Sequence, residues 1–360
     1  MNRKQSKTKG VLRAVALLGG LTFLFFAGFN ACKVDPPVTT INKLTEVQPE
    51  GWPKPVYTFS VNTLSEERFQ LGRYLFYEPM LSKDNTVSCA SCHQNFVAFA
   101  NADHKVSHGI NNLQGKRNAP ALFNLTWHPY FMHDGGINHI EVQPLGPISN
   151  PVEMAESIDS VLIKLKATNK YRVLFNRAFG SEEVSSQKFL WAMAQFMGMM
   201  YSYNSKYDRV MRSEKGISFS AEEQSGYTIF KEKCNVCHTE PLFSDFKLRN
   251  NGLSVSPQYQ DSGRARITHL PQDLYTFKTP SLRNIDLTGP YMHDGRISSL
   301  RGCLDHYSGG ITNKINLAEE LKNGVSLSED DKSYIILFLK TLTDTSFTHD
   351  KKFTDPKYNP

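Results

Sequence analysis

No apolar run in this 360-residue chain is long enough to cross a bilayer. The longest, Ala14–Phe29, has 16 residues, against the roughly 18 to 20 that a spanning helix requires. It follows Arg3, Lys4, Lys7, Lys9 and Arg13 and ends among small residues, which is the pattern of a secretory signal. Its close, "FNAC", resembles a bacterial lipoprotein cleavage site. Residues 1–31 are therefore expected to be a signal peptide and Cys32 to carry a lipid anchor, which places the protein in the periplasm. Once those five basic residues are set aside, 36 (41 less 5) face 35 acidic ones. No positive excess remains to attract nucleic acid.

Cysteine is also scarce. Of six, one is Cys32 and four form two tight pairs, which excludes the dispersed bridges of a secreted disulfide framework. A bridge between residues three apart closes too short a loop to stabilise a fold. A βαβ pattern for a thioredoxin-like dithiol is absent. So is the spacing of about 15 to 20 residues between cysteine pairs that a zinc ribbon needs.

What is present is Cys-x-x-Cys-His, twice: Cys89, Cys92 and His93, then Cys234, Cys237 and His238. At this composition, one such match is expected about 0.003 times in a chain of this length. The chemistry left standing is covalent c-type haem. The two thiols form thioethers to the porphyrin, and the adjacent imidazole binds the iron.

A second repeat joins the first. "NAPALFNLTWHPYFMHDGG" aligns with "KTPSLRNIDLTGPYMHDGR" at an offset of 160, so Pro120, Leu122, Asn124, Met132, His133, Asp134 and Gly135 match Pro280, Leu282, Asn284, Met292, His293, Asp294 and Gly295. Each half thus carries one haem motif and one "HDG" segment, the mark of a duplicated domain. The fold class expected is mainly α, with two cytochrome c-type haem domains in tandem and long loops. The boundaries are 61–215 and 216–345, preceded by a proline-rich tether over 32–60 and followed by a tail, 346–360. Cap signals predict helices from Ser65, Ser220 and Ser328, and apolar spacing predicts one long buried helix over 185–211. Met193, Met197, Met199 and Met200 read as core. Loops over 97–151 and 239–296 are long enough to need something besides secondary structure to order them.

With "RNAPALFN", "LGPISNPVEM", "DSGRARIT", "FKTPSLRN" and "PYMHDGR", the paired motifs make the chain resemble the bacterial dihaem cytochrome c peroxidases and their MauG-type relatives, over roughly 64–342. The resemblance implies two facing haem domains with a calcium ion between them. It implies reduction of hydrogen peroxide at the N-terminal haem by electrons from a small c-type cytochrome or cupredoxin, that is, a cytochrome-c peroxidase. A homodimer is compatible with it. Two other functions remain open: a MauG-type oxidase acting on a protein substrate, and a dihaem electron carrier with no chemistry of its own.

The duplication sets Pro147 opposite Tyr307. Proline has no donor and tyrosine has a phenol that can bind iron, so the first haem is expected to be open and the second capped. His306, Met292 and Cys303 are rival donors near Tyr307. The resemblance assigns Gln143 and Glu153 to the open face, where a carboxylate can move a proton between the two peroxide oxygens. The competing reading is that Glu153 caps a helix starting near Met154. His108 matches a histidine that closes the first haem in resting forms of some relatives. Asn118, Thr288 and Pro290 match calcium ligands, oxygen donors suited to a hard cation. His133 stands where the family usually carries a tryptophan between the haems.

Overall fold

The computed structural model describes residues 44–102 and 104–359. The signal peptide, the Cys32 anchor and the first part of the tether lie outside the described residues. Among the described residues, no helix is long and apolar enough to cross a membrane.

The fold is mainly helical, and its only ladder among these residues pairs β1 (Leu248–Arg249) with β2 (Phe277–Lys278), antiparallel. The longer helices are α1 (Glu66–Phe76), α2 (Ile158–Lys166), α3 (Asn169–Phe179), α4 (Ser186–Gly198), α5 (Ala221–Lys233) and α6 (Glu329–Lys340). Their starts follow the caps. Ser65 accepts from the Arg68 N–H at the head of α1, while Ser220 with Glu223 and Ser328 with Asp331 form capping boxes on α5 and α6. Each box satisfies two of the backbone donors that a helix start leaves unpaired.

Residues 44–359 fall within one compact unit that holds two main apolar clusters. The first is built on α1–α4, where Phe196 lies 5.4 Å from Phe69 and 5.1 Å from Phe76. The second is built on α5 and α6, with Phe230 and Phe338 5.1 Å apart. Each cluster contains the same crossing. A Cβ on Gly72 of α1 would fall 2.0 Å from the Ala192 carbonyl oxygen of α4, and one on Gly226 of α5 would fall 2.0 Å from the Tyr334 oxygen of α6. Only glycine lets these backbones meet. A smaller aromatic cluster, Trp52, Trp127, Leu242 and Phe246, packs beside them.

Three expectations change. The long helix over 185–211 is broken into α4 and a short helix, Lys206–Met211. Tertiary bonds hold the break: the Ser202 N–H donates to Asn124 Oδ1 at 2.9 Å and the Asn204 N–H to Asp344 Oδ2 at 2.9 Å. A Ser205–Asp208 capping box then starts the next helix. The described part of the tether is anchored, since Trp52 and Phe59 are buried and Trp127 Nε1 donates to the Pro53 oxygen at 2.8 Å. The tail is folded as well. Phe347 and Phe353 join the first cluster, and buried Arg73 of α1 donates to the carbonyl oxygens of Thr354, Lys351 and Asn359.

The duplication is written into the backbone. Asn124 and Asn284 (φ 54° and 56°), Met132 and Met292 (65° and 70°), and Gly135 and Gly295 (66° and 65°) share the left-handed region. The two "HDG" turns are closed by equivalent bridges, Phe131 with Ile137 and Tyr291 with Ile297. Non-glycine residues seldom adopt this conformation, so the matched asparagines and methionines mark two copies of one loop.

Candidate haem sites

Each Cys-x-x-Cys-His motif sits at the edge of a cavity. Cys89, Cys92 and His93 line one of about 830 Å³, and Cys234, Cys237 and His238 line another of about 310 Å³. Burial pushes the Cys89 and Cys234 thiols up to about 12, so neither pair is a thiolate pair poised for redox exchange. Among the described residues, no three His, Cys, Asp or Glu side chains converge to hold a metal ion by themselves.

The two histidines are oriented in the same way. His93 Nδ1 lies 2.8 Å from the carbonyl oxygen of Phe99. His238 Nδ1 lies 3.2 Å from the oxygens of both Phe243 and Pro280. A carbonyl only accepts, so Nδ1 carries the proton and the Nε2 lone pair is left for a metal. Phe99 and Phe243 are fully buried and both left-handed (φ 59° and 54°), and that turn delivers the carbonyl to the ring. Covalent haem fits this donor set in each half: paired thiols, one oriented imidazole and an apolar cavity.

The first cavity collects the residues predicted for an open face. His108, Gln143, Pro147 and Glu153 all line it, with Met193 and Met197 forming part of its wall. Glu153 does not cap a helix. Met154 lies in a turn, and α2 begins at Ile158 with Ser157 as its cap. Instead, the Ile110 N–H donates to the Glu153 carbonyl oxygen at 2.8 Å, and a Cβ on Gly109 would fall 2.2 Å from that same oxygen. The Ser107–Ile110 strip therefore clamps Glu153 in place, and Ser107 Oγ donates to its Oε1 at 3.4 Å. Burial raises the Glu153 carboxyl above the usual range, against hydrogen bonds from Ser107 and Asn150. Gln143 Nε2 lies 3.9 Å from the Met132 sulfur. His108 is held through Nδ1 by Asn112 Oδ1 at 3.0 Å, and its ring lies 4.2 Å from that of His104.

In the second cavity, Tyr307 occupies a single turn of π-helix, His306–Gly310, which follows the short helix Leu300–Asp305. Such turns are uncommon and often mark functional positions. Burial pushes the phenol up to about 12, and Asn251 hydrogen-bonds to it. Met292 and Cys303 line the same cavity. His306 does not line it; its Nε2 is engaged by the Asn251 carbonyl oxygen at 3.0 Å. Asn118, Thr288 and Pro290 all line this cavity. The Asn118 carbonyl oxygen accepts from His133 Nε2 at 2.9 Å.

The cavities share a wall that includes Asn118, Pro120, His128, Met132, His133 and Lys278. His133 thus lies between them, and burial lowers its imidazole to about 4, so it is neutral at ordinary pH. The wall is braced by Arg117, which bonds Asp134 at 2.5 Å and Asp261 at 2.6 and 2.8 Å. Sequence reasoning passed over Ser107, Asn251, His128 and Lys278. Ser107 and Asn251 lie outside the quoted motifs, whereas His128 and Lys278 lie inside the repeated segments and Lys278, the repeat partner of Asn118, could have been found by the 160-residue offset.

The model of the di-haem cytochrome c peroxidase family matches residues 66–216. The chain is 35% identical over 300 residues to the methylamine utilization protein MauG of Methylorubrum extorquens, covering 82% of each. It is 32% identical over 278 residues to the cytochrome c551 peroxidase of Nitrosomonas europaea, covering 76% of this chain and 79% of the relative. A crystal structure of a MauG-like protein associated with microbial copper homeostasis superposes with a TM-score of 0.79 at 30% identity, covering 87% of this chain and 99% of that one.

Proposed function

The chain belongs to the di-haem cytochrome c peroxidase family, and we propose that it reduces hydrogen peroxide to water in the first cavity, with electrons that enter through the second. Membership implies an oxidoreductase with two c-type haems. The observation that carries the finer reading is the contrast between the cavities: Gln143, Glu153 and Pro147 line the first, and Tyr307 lines the second.

His93 and His238 would bind the two irons through Nε2, with thioethers at Cys89, Cys92, Cys234 and Cys237. The haems supply iron that exchanges single electrons. The chain's own task at the first site is proton management. Glu153 takes the proton from the near peroxide oxygen and returns it to the far one, so that the departing oxygen leaves as water. The Gln143 amide donates a hydrogen bond that holds peroxide in line. The balance is one peroxide, two electrons and two protons giving two waters. His108 lines the same cavity and is the side chain that would close this face if the ferric protein had to be activated by reduction.

Asn118 Oδ1, Thr288 and Pro290 would hold calcium where the domains meet. The electron donor would be a small c-type cytochrome or a cupredoxin in the periplasm, with Cys32 as the lipid attachment and a homodimer as the assembly to test. Tyr307 favours a second reading, a MauG-type oxidase that draws electrons from another protein's side chains. A phenolate stabilises ferric and higher-valent iron, whereas methionine favours the ferrous state.

Two measurements test the proposal. Acid extraction of the denatured protein should leave two haems on each chain with a c-type alkaline pyridine spectrum. Peroxide should then be consumed with two equivalents of reduced cytochrome oxidised. Extractable haem, or cytochrome that is oxidised with no loss of peroxide, would refute it.

A further inference from the structure

The wall between the cavities carries two nitrogen groups with incomplete bonding. Lys278, on β2, lines both cavities. Its Nζ lies 3.1 Å from His128 Nδ1 and 3.3 Å from the Tyr130 carbonyl oxygen. Among the described residues, it pairs with no carboxylate, and burial alone pulls its ammonium down to about 8. His128 lines both cavities too, and its ring packs 4.4 Å from that of Phe246. Because the ammonium faces Nδ1, that atom supplies a lone pair and the proton sits on Nε2. His128 Nε2 is buried with no hydrogen-bond partner.

Among the described residues, two other buried or half-buried cations are paired with carboxylates, while buried Arg73 is bonded by three carbonyl oxygens. Arg283 makes two bonds to Asp208, at 2.7 and 2.8 Å, and Arg117 is bonded to Asp134 and Asp261. A buried ammonium without a counter-ion and a buried N–H without an acceptor are each unfavourable. Both are completed by one thing, a carboxylate that enters from a cavity. A c-type haem brings two, its propionates.

We propose that Lys278 and His128 together hold a haem propionate at the wall between the cavities, Lys278 Nζ supplying the charge and His128 Nε2–H the second donor. This rests on the reading of the cavities as haem sites. The pair would anchor that propionate and raise the haem's potential, since removing the ammonium leaves the propionate charge uncompensated and favours ferric iron.

The test uses the haem-loaded protein and its Lys278→Met, Lys278→Arg and His128→Phe variants, with haem content measured first. Lys278→Met is expected to lower the midpoint potential of at least one haem by a tenfold change in its ferrous-to-ferric ratio, about 59 mV for one electron. It should also shift a propionate bending band in the resonance Raman spectrum. Lys278→Arg should restore both, and His128→Phe should shift the band while keeping the charge. If Lys278→Met does not mature, His128→Phe reads the same band. Unchanged potentials and bands in fully loaded variants would overturn the pair's role. A wild-type protein without covalent haem would instead overturn the reading on which it rests.

Discussion

Glu153→Gln is expected to keep both haems and to lose a factor of about 10² to 10⁴ in peroxide turnover, the range for removing acid–base assistance. The amide keeps the size of the side chain and its place under the Ser107–Ile110 strip, which holds the Glu153 backbone through Ile110 and whose Ser107 hydroxyl can donate equally to an amide oxygen. What it removes is a group that can take up and return a proton. The pH profile supplies a second readout. Burial raises the Glu153 carboxyl, and the carboxylate must be free to accept the first proton. Activity should therefore be present above the raised pKa and fall as pH drops through it, at a pH higher than an exposed glutamate would give. The variant should lose this acid limb. Full turnover in a folded, haem-loaded Glu153→Gln variant would mean that Glu153 has no proton to move.

Tyr307→Phe should change the optical spectrum of the second haem and leave that of the first unaltered. The phenol lines the second cavity and Asn251 holds it, so its removal should vacate one side of the second iron. Tyr307→Met should raise that haem's potential, because a neutral sulfur replaces an anionic oxygen. An unaltered second-haem spectrum in the Phe variant would remove Tyr307 as a ligand and turn attention to Met292 and Cys303, which line the same cavity.

Much of this was legible in the chain because local chemistry fixes it. Ser220 with Glu223 and Ser328 with Asp331 announce helices that form as expected, since a capping box is a short-range device. The 160-residue offset reads through to matched left-handed residues, because each is needed by the same loop. The break after Met199 was not legible. It is imposed by Asn124 and Asp344, far away in sequence, on a segment whose apolar spacing suits a continuous helix. The tether and tail were misjudged for a related reason. Proline suggested a tether and nothing marked the tail as packed, while Trp52, Phe59, Phe347 and Phe353 are single aromatics whose burial depends on distant partners. At the site, the residues put forward as haem, peroxide or calcium contacts line the two cavities, His306 excepted. The polar groups that support them had no signature, because Ser107, Asn251 and His128 matter only through what they touch.

The proposed chemistry depends on peroxide reaching an iron in the first cavity whose far side is open, because Pro147 stands where the second half has Tyr307. Rapid mixing of the fully ferric, haem-loaded protein with one equivalent of peroxide tests it most directly. An immediate spectral change is expected, with loss of the peroxide and no need for prior reduction. A ferric protein that stays unchanged until one electron has been added would contradict it, and would assign His108, or another side chain, to the face taken here as open.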